Sequence, residues 1–325
     1  MADDDRPVLV LTALEDTTAD DVIGELNARS VPVVRLDPGD FPVGVTLAAQ
    51  VGGDAGTRGT LRTATRTVDL SRVRAVYRRR PGPYRFDHLP ARDAEFAIAQ
   101  ARHGLGGVLD ALPGALYVNH PRRNAAADYK PVQLAAAAEL GFPVPATLIT
   151  NDPRTARDFT EDHGPVVYKP LRGTSYRDDD GMPLTIWTQE VNPADLDDTV
   201  SGTAHLFQER VRKQADVRVT VIGREIFAVR IDTGGEDGVL LDWRRDYTRH
   251  TYAVVSLPGH IQQALHRFLD RFGLLFGCFD FALDTDGALW FLELNPNGQF
   301  AWLADATGLP MAAAMADLLR KGLPA

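Results

Sequence analysis

The spacing of hydrophobic residues predicts alternating strands and helices in the first third of the chain. Val8–Thr12 is a continuous apolar run typical of a buried strand, and Val31–Leu36 is a second such run. Between them, Thr18–Arg29 places apolar residues at helical spacing, which completes a βαβ pattern. Similar patterns predict further strands at Val43–Val51, Gly59–Val68 and Val73–Arg79, and a helix at Ala91–Ala111. We therefore expect a doubly wound α/β domain over residues 1–118.

The middle of the chain, residues 119–206, has shorter elements that predict a small α+β domain. A helix is expected at Ala125–Leu140, because a glycine suited to a helix end follows directly. Asp152 before Pro153 predicts the start of another helix. Strands are expected at Thr147–Thr150, Pro165–Leu171 and Leu184–Glu190. The polar segment Arg172–Met182 before the last strand predicts either a lid over a ligand or a disordered loop.

The last part of the chain, residues 207–325, predicts a second α+β domain. Its strands are expected at Leu206–Arg210, Val217–Ile222 and Glu225–Asp232, and its helices at Ile261–Phe272 and Met311–Arg320. Between the two helices lies the most informative segment of the chain, Cys278–Gly298.

This segment, CFDFALDTDGALWFLELNPNG, predicts a β-hairpin that binds a divalent metal. In each half of the segment, successive residues are expected to lie on opposite faces of a strand. Asp286-Gly287, between the two halves, is a strong turn signal. A turn there places Asp280 opposite Glu293, with Phe291 and Asn295 on the same face as Glu293. A few oxygen ligands suit Mg²⁺, which usually takes one or two carboxylates together with substrate phosphates. The alternative is an ordinary hairpin with an acidic outer face, which is disfavoured because unpaired polar groups in an apolar strand are costly.

Composition and charge narrow the classes of function. The chain has 325 residues, of which 44% are hydrophobic and 24% charged, so we expect a packed globular protein. The net charge of −9 argues against binding to nucleic acids or anionic membranes, which requires a surplus of Lys and Arg. Arginine clusters such as Arg78–Arg80 favour a local site for phosphates or carboxylates. Cys278 is the only cysteine and the N-terminus lacks the basic region of a signal peptide, so we expect no intrachain disulfide and a cytoplasmic location.

Two lysines predict a site for nucleotide phosphates. Lys169 lies in a predicted strand of apolar and aromatic residues, so it is either at a sheet edge or directed at a negative group. Lys130 alone would be a solvated helix lysine, but the pair can bracket phosphates whose charge Mg²⁺ also shares. Neither GxxxxGK[ST] nor GxGxxG is present, so side chains and a loop would hold ATP. The segment FQERV, Phe207–Val211, is explained equally by a backbone site for adenine and by a plain edge strand.

The order of these residues resembles that of the ATP-grasp superfamily. Its motifs here are Lys130, Lys169-Pro170, Gln208-Glu209-Arg210-Val211, Asp216-Val217-Arg218, Asp280 and Glu293-Leu294-Asn295-Pro296-Asn297-Gly298. The stretches VYRRRPG, NHPRRNAAADYKPVQLAAAAELGFPVPATLITNDP and VVYKPLRG resemble, more narrowly, the ATP-grasp ribosomal peptide maturases that make graspetides. The resemblance implies an α/β protein of the ATP-grasp fold, in which two α+β subdomains clasp ATP beside an N-terminal α/β domain.

The resemblance also implies roles for individual residues. These are Lys130 and Lys169 for the ATP phosphates, Gln208 with the backbone of Glu209 and Val211 for adenine, Asp216 for the ribose, and Asp280, Glu293 and Asn295 for Mg²⁺.

The implied reaction is ATP-dependent phosphorylation of an Asp or Glu side chain in a precursor peptide. A Ser/Thr hydroxyl or a Lys amine of the peptide then attacks the acyl phosphate, which gives an intramolecular ester or amide. Such chemistry depends on positioning and charge neutralisation more than on a covalent nucleophile of the enzyme. Arginine suits a carboxylate that becomes an acyl phosphate, and Arg218, Arg230 and Arg244 are the candidates, with exposed sheet arginines as the alternative.

Two other functions stay open at this stage. One is a ligase for free amino acids or short peptides, and the other is a nucleotide-binding regulatory module without activity. The expected partner is a precursor peptide with a leader and an Asp/Glu-containing core, and the hairpin Arg172–Glu190, with Ile186 and Trp187, is the predicted leader surface. Whether the chain forms a homo-oligomer is left open.

Overall fold

A computed structural model gives the structure of the chain and describes residues 5–52, 56–173, 176–177, 179–234 and 240–323. The helices are α1 (Thr17–Ala28), α2 (Ala91–His103), α3 (Leu105–Leu109), α4 (Pro121–Ala127), α5 (Lys130–Glu139), α6 (Pro153–His163), α7 (Gly259–Phe272), α8 (Ala301–Thr307) and α9 (Met311–Lys321). The strands of the first half are β1 (Val8–Leu11), β2 (Val33–Leu36), β3 (Thr46–Gln50), β4 (Arg58–Arg62), β5 (Thr67–Asp69), β6 (Ala75–Arg78), β7 (Leu116–Val118), β8 (Thr147–Thr150) and β9 (Val166–Lys169). Those of the second half are β10 (Tyr176–Arg177), β11 (Pro183–Leu184), β12 (Gln189–Glu190), β13 (His205–Glu209), β14 (Lys213–Ile222), β15 (Glu225–Asp232), β16 (Thr251–Val254), β17 (Phe276–Asp284) and β18 (Leu289–Asn295).

The N-terminal sheet is parallel, in the order β2-β1-β6-β7. Its strands are apolar on both faces because helices cover both: α1 and α9 pack on one side and α3 on the other. The predicted strands at Val43–Val51 and Gly59–Val68 do not join this sheet. They become β3, β4 and β5, which form a separate antiparallel sheet. The predicted helix Ala91–Ala111 is divided into α2 and α3 at Gly104.

The central sheet is antiparallel, in the order β12-β9-β13-β8. The predicted helix Ala125–Leu140 was wrong in one respect, because α4 ends at Ala127 and α5 begins at Lys130. Pro131 explains the break, since a proline is tolerated in the first turn of a helix but not in its interior. The break places Lys130 at a helix start. The predicted boundary between residues 206 and 207 falls within β13, which pairs with β8 and β9 of the central sheet.

The segment after β9 is less regular than predicted. The expected strand Leu184–Glu190 is replaced by two short strands, β11 and β12, with irregular backbone between them. Within the predicted lid Arg172–Met182, residues 174, 175 and 178 lie outside the described part of the chain.

The C-terminal sheet is antiparallel, in the order β16-β15-β14-β17-β18. Val217 and Val219 of β14 pack in one apolar core with α7. Asp216 and Arg218 alternate with them and therefore lie on the opposite face, where both are buried. The helix α7 ends, as predicted, at Gly273, which has a left-handed φ of 64°. The pattern did not reveal β16, which is largely exposed, or α8, which is too short to show a period.

A β-bulge changes the predicted hairpin of β17 and β18. Asp280 pairs with Glu293 as predicted, but the register then shifts, so that Phe281 pairs with Phe291. Phe291 consequently lies in the apolar core, and Leu292 joins Glu293 in lining a cavity. The expectation that Phe291 shares the face of Glu293 was wrong, because one extra residue reverses the alternation of a strand.

None of the helices in the described part of the chain is long and apolar enough to cross a bilayer.

Candidate functional site

A cavity of about 340 Å³ lies between the central sheet and the C-terminal sheet. Six of the residues predicted from the sequence line it: Lys130, Lys169, Asp216, Arg244, Asp280 and Glu293. Ile186 and Trp187, which were predicted to bind a leader peptide, line the same cavity. The cavity therefore combines residues from α5, from β9 and from three strands of the C-terminal sheet.

Glu293 is the centre of the charges in this cavity. Its carboxylate oxygens lie 2.6 Å from Nζ of Lys130 and 3.4 Å from Nη1 of Arg244. Burial raises the pKa of Glu293, but the charges of Lys130 and Arg244 outweigh burial and lower it to about 2. Glu293 is therefore ionised throughout the physiological range.

Asp280, the cross-strand partner of Glu293, is paired with an arginine. Nη1 of Arg218 donates to Oδ1 and Oδ2 of Asp280 at 2.9 and 2.8 Å, and both residues are buried. Burial raises the pKa of Asp280, and the charge of Arg218 opposes this shift. The guanidinium carbon of Arg218 also lies 5.9 Å from the ring centroid of Trp243, which supports its orientation.

Lys169 belongs to a chain of polar side chains that leads toward β8. Its Nζ donates to Oε1 of Gln208 at 2.7 Å, and Nε2 of Gln208 donates to the Thr147 hydroxyl at 2.9 Å. Burial lowers the pKa of Lys169 to about 8, although the charge of Glu293 opposes the shift. The amine therefore titrates close to neutral pH, and a negatively charged ligand would stabilise its protonated form.

A smaller cavity of about 30 Å³ adjoins the first and contains the predicted adenine residues. Gln208, Glu209 and Val211 line it, and Lys169 and Leu292 line both cavities. The two spaces are neighbours at the end of β9, and the smaller one would have to widen to admit a flat ring, since its present volume suits about one or two water molecules.

Asp216 is held by a lysine that the sequence analysis did not assign to the site. Nζ of Lys213 lies 2.8 and 2.6 Å from the two carboxylate oxygens of Asp216 and also donates to the Leu241 carbonyl at 3.0 Å. Burial raises the pKa of Asp216 to about 6, and Lys213 opposes the shift. The signal for Lys213 in the sequence was its position three residues before Asp216.

Asp242 was missed by the sequence analysis as well. Its carboxylate oxygens accept hydrogen bonds from Nε and Nη2 of Arg244, each at 2.9 Å.

Two amide side chains fix the strands that carry Asp280 and Glu293, which we call the acidic pair. Gln133 of α5 hydrogen-bonds the Leu294 N–H and carbonyl at 2.8 and 2.9 Å, as a neighbouring strand would. Asn119 does the same for Phe276, and its Nδ2 also donates to the Pro296 carbonyl at 3.0 Å. Both amides are buried, so β17 and β18 are held at defined positions.

Three predicted residues line neither cavity: Arg218, which is buried against Asp280, and also Arg230 and Asn295. Val229, not Arg230, pairs with Arg218, so Arg230 is on the opposite face of the sheet, where it binds Asp232 at 2.7 Å. This position argues against a role for Arg230 in the cavity. Asn295 is exposed at the end of β18, and its Oδ1 accepts from the Asn297 N–H at 3.0 Å.

The acidic pair fits a divalent cation that shares its coordination with phosphates. Within the described residues, no group of three His, Cys, Asp or Glu side chains is placed to hold a metal by itself. Asp280 and Glu293 supply carboxylate oxygens from opposite positions of the hairpin, whereas Asn295 lies exposed at the end of β18, two residues after Glu293. Lys130, Arg218 and Arg244 now neutralise these carboxylates, which shows that the site accepts positive charge. Two carboxylates with phosphate oxygens suit Mg²⁺.

Known proteins with this architecture include peptide-modifying enzymes. Residues 7–124 match the family model described as MvdD pre-ATP grasp domain. A RiPP-associated ATP-grasp ligase of Chryseobacterium gregarium, solved with ADP, a leader and a core peptide, is 27% identical, with a TM-score of 0.90 and 98% of each chain covered.

Two enzymes of Microcystis aeruginosa MRC are also similar. Macrocyclase MdnC, solved with the precursor peptide MdnA, is 26% identical, with a TM-score of 0.85 over 97% of this chain and 100% of its own. Macrocyclase MdnB is 29% identical, with a TM-score of 0.80 over 97% and 99%. The comparison with curated protein sequences gives no match. The chain therefore has the ATP-grasp fold and resembles the ATP-grasp ribosomal peptide maturases along nearly its whole length.

Proposed function

We propose that the chain is an ATP- and Mg²⁺-dependent peptide maturase. It would phosphorylate Asp or Glu side chains of a ribosomal precursor peptide and then form intramolecular ester or amide crosslinks. The observation that carries the proposal is the cavity itself, where Asp280 and Glu293 lie among Lys130, Lys169 and Arg244. Chains with this fold include one solved with ADP, a leader and a core peptide.

The nucleotide would occupy both cavities. Adenine would widen the smaller cavity and lie against Gln208 and the backbone of Glu209 and Val211, with Asp216 at the ribose. Lys169 and Lys130 would then contact the phosphates, and Lys130 would exchange its bond with Glu293 for a phosphate oxygen. Phosphate contacts also keep Lys169 protonated, because negative charge raises the pKa that burial lowers.

The acidic pair and two arginines would carry the reacting groups. Bound Mg²⁺ would neutralise the phosphate charge that develops during transfer. Asp280, Glu293 and Asn295 would hold it, and Arg218 and Arg244 would orient the peptide carboxylate through their planar guanidinium groups. Both arginines border the acidic pair, so that the carboxylate and the γ-phosphate would meet beside it.

The partner and the location follow from the same proposal. The leader would bind along the hairpin Arg172–Glu190, of which Ile186 and Trp187 face the cavity. The core would supply both the Asp or Glu and the attacking residue. The protein would bind its precursor in the cytoplasm. A homo-oligomer would be compatible with this arrangement.

Mass spectrometry of a candidate precursor tests the function. A small peptide rich in Thr and Asp/Glu, encoded beside this chain, is incubated with the protein, ATP and Mg²⁺. We expect stepwise loss of one water per crosslink, and we expect deletion of the leader to slow the reaction strongly. Arg218→Ala should retain leader binding and lose dehydration, because it removes a group at the activated carboxylate.

Two other outcomes would replace the proposal. Joining of two separate small molecules, without dehydration of any peptide, would indicate a ligase for free amino acids or short peptides. Nucleotide binding without ATP turnover, with or without peptide, would indicate a regulatory module.

A further inference from the structure

Five aromatic side chains form a continuous group beside the cavity: Trp243, Tyr247, His250, Tyr252 and Trp302. We call them the aromatic cluster. The rings of Trp243 and Trp302 stack with centroids 5.2 Å apart. The Tyr247 ring meets both edge-on, at 5.6 and 5.9 Å. Tyr247 is 53% exposed, so the cluster is not sealed in a core but presents part of its surface to solvent.

The aromatic cluster is joined directly to the residues proposed to bind the carboxylate. Trp243 lines the cavity, and Arg218 lies over its ring at 5.9 Å. The next residue, Arg244, reaches Glu293. Tyr247 packs edge-on against the Trp243 ring, so its exposed ring lies next to the ring that Arg218 covers. One short turn therefore presents rings and guanidinium groups side by side.

The aromatic cluster adjoins the larger cavity at a residue that does not line the proposed adenine site. The smaller cavity adjoins the larger one through Lys169 and Leu292, whereas Trp243 and Arg244 line only the larger cavity. A group that attacks the activated carboxylate has to approach the carbonyl carbon from a side that the nucleotide does not fill. Trp243 meets this requirement because it borders the larger cavity and not the smaller one, and Tyr247 packs directly against it.

We propose that the aromatic cluster binds the acceptor residue of the precursor peptide, the residue whose hydroxyl or amine attacks the acyl phosphate. The inference rests on the proposed function. The aliphatic part of the acceptor side chain packs on the rings of Tyr247 and Trp302, and its nucleophilic head faces the acyl group at Arg218. Rigid rings with a polar tip are typical anchors for peptide residues.

The step that the aromatic cluster serves is acyl transfer. The acceptor oxygen or nitrogen forms a bond to the carbonyl carbon, and the bond between that carbon and the phosphate oxygen breaks. Phosphate leaves with the electron pair, and the proton released by the nucleophile passes to it. Activation of the carboxylate precedes this step and does not need the acceptor.

Hydroxylamine separates activation from acyl transfer, because it traps an acyl phosphate as a hydroxamate. The candidate precursor is treated with ATP and Mg²⁺, with and without hydroxylamine, and both products are measured by mass spectrometry. The variants are Tyr247→Ala and Trp302→Ala. Phe96→Ala is the matched control, because Phe96 is 66% exposed on α2 and lies outside the aromatic cluster.

We expect Tyr247→Ala and Trp302→Ala to lower crosslinking roughly tenfold or more, as loss of an aromatic anchor does. Hydroxamate formation should stay near that of the unchanged protein, and the control should retain both activities. Equal loss of hydroxamate and crosslink, or no loss of either in Tyr247→Ala, would overturn the inference. Absence of both products with the unchanged protein would instead contradict the proposed function.

Discussion

At the scale of single residues, burial and charge oppose each other throughout the cavity. Glu293 is held ionised by Lys130 and Arg244, whereas Lys169 donates its hydrogen bond to a neutral acceptor, Gln208. Burial therefore lowers the pKa of Lys169 to about 8, while Glu293 stays near 2. We therefore expect the activity to respond to pH through Lys169, which titrates near neutrality, and not through Glu293, which stays charged.

Glu293→Gln is expected to abolish peptide crosslinking and leave the fold intact. The amide keeps the volume but removes a charged metal ligand, Lys130 is 20% exposed and can turn to solvent, and Arg244 keeps Asp242 as its partner. Activity is measured at limiting and saturating Mg²⁺, and thermal unfolding reports the fold. Glu225→Gln, an exposed acid of β15, is the control. Near-normal activity of Glu293→Gln at limiting Mg²⁺ would place the metal elsewhere.

We expect kcat/KM for ATP to fall at high pH because Lys169 loses its charge there. Its ammonium is present below a pKa of about 8 and is lost as the pH rises through that value, so affinity for phosphates should fall there. Lys169→Arg should remove this decrease, because arginine stays charged.

Lys169→Ala should raise the ATP KM roughly tenfold to a hundredfold, as expected for one charge-assisted contact. A smaller or similar increase is expected for Lys130→Ala. Unchanged ATP kinetics in both alanine variants would contradict the phosphate assignment.

At the scale of elements, the hairpin β17–β18 and the loop after it place the acidic pair and Arg218. The bulge next to Glu293 sends Phe291 into the core and leaves Leu292 beside the acid in the cavity. Gly298, in the loop after β18, lies so close to β14 and β17 that a side chain there has no room. A Cβ at this position would lie 2.6 Å from Sγ of Cys278 and 2.8 Å from Nη2 of Arg218.

Gly298→Ala is therefore expected to displace Arg218 and to lower crosslinking strongly while ATP binding persists. Arg218 cannot retreat easily, because Asp280 holds its Nη1 and the Gln299 carbonyl lies 3.4 Å from its Nη2. Crosslinking and nucleotide affinity are measured side by side. Gly24→Ala in α1 is the matched control: its Cβ meets nothing within 4 Å, and alanine should stabilise the helix by about 0.5–1 kcal/mol. Full crosslinking activity in Gly298→Ala would contradict this role for the close approach.

At the scale of the whole molecule, the two ends of the chain form one core. The helix α9 packs against α1 and the N-terminal sheet, and Nε of Arg29 bonds Asp317 at 2.9 Å. Arg79 makes a second connection: its Nη1 donates to the Gly298 carbonyl at 2.9 Å, and its Nε lies 3.4 Å from Asp16 in a fully buried pair. The N-terminal domain is thereby tied to the loop that borders the metal ligands.

Arg79→Met should lower the free energy of unfolding by about 3–5 kcal/mol, because it removes the cation beside the fully buried Asp16, whose charge is then balanced only by neutral donors of Thr12 and Ala19. Urea denaturation measures this loss, and Arg80→Met, which changes an exposed neighbour, should have little effect. A loss below about 1 kcal/mol in Arg79→Met would show that the connection contributes little to stability.

The sequence by itself determined the types of the longer elements, the ATP-grasp resemblance and the pairing of Asp280 with Glu293, because these depend on local periodicity, turn signals and the order of motifs. It also placed Lys130, Lys169 and Gln208 among the candidates for one site. Only the tertiary structure decided which candidates meet: the register of β14 with β15 sets Arg230 on the opposite face, and the bulge turns Phe291 inward. The aromatic cluster and the Arg79 connection join segments far apart in the chain. Such contacts depend on long-range packing, which no local pattern records.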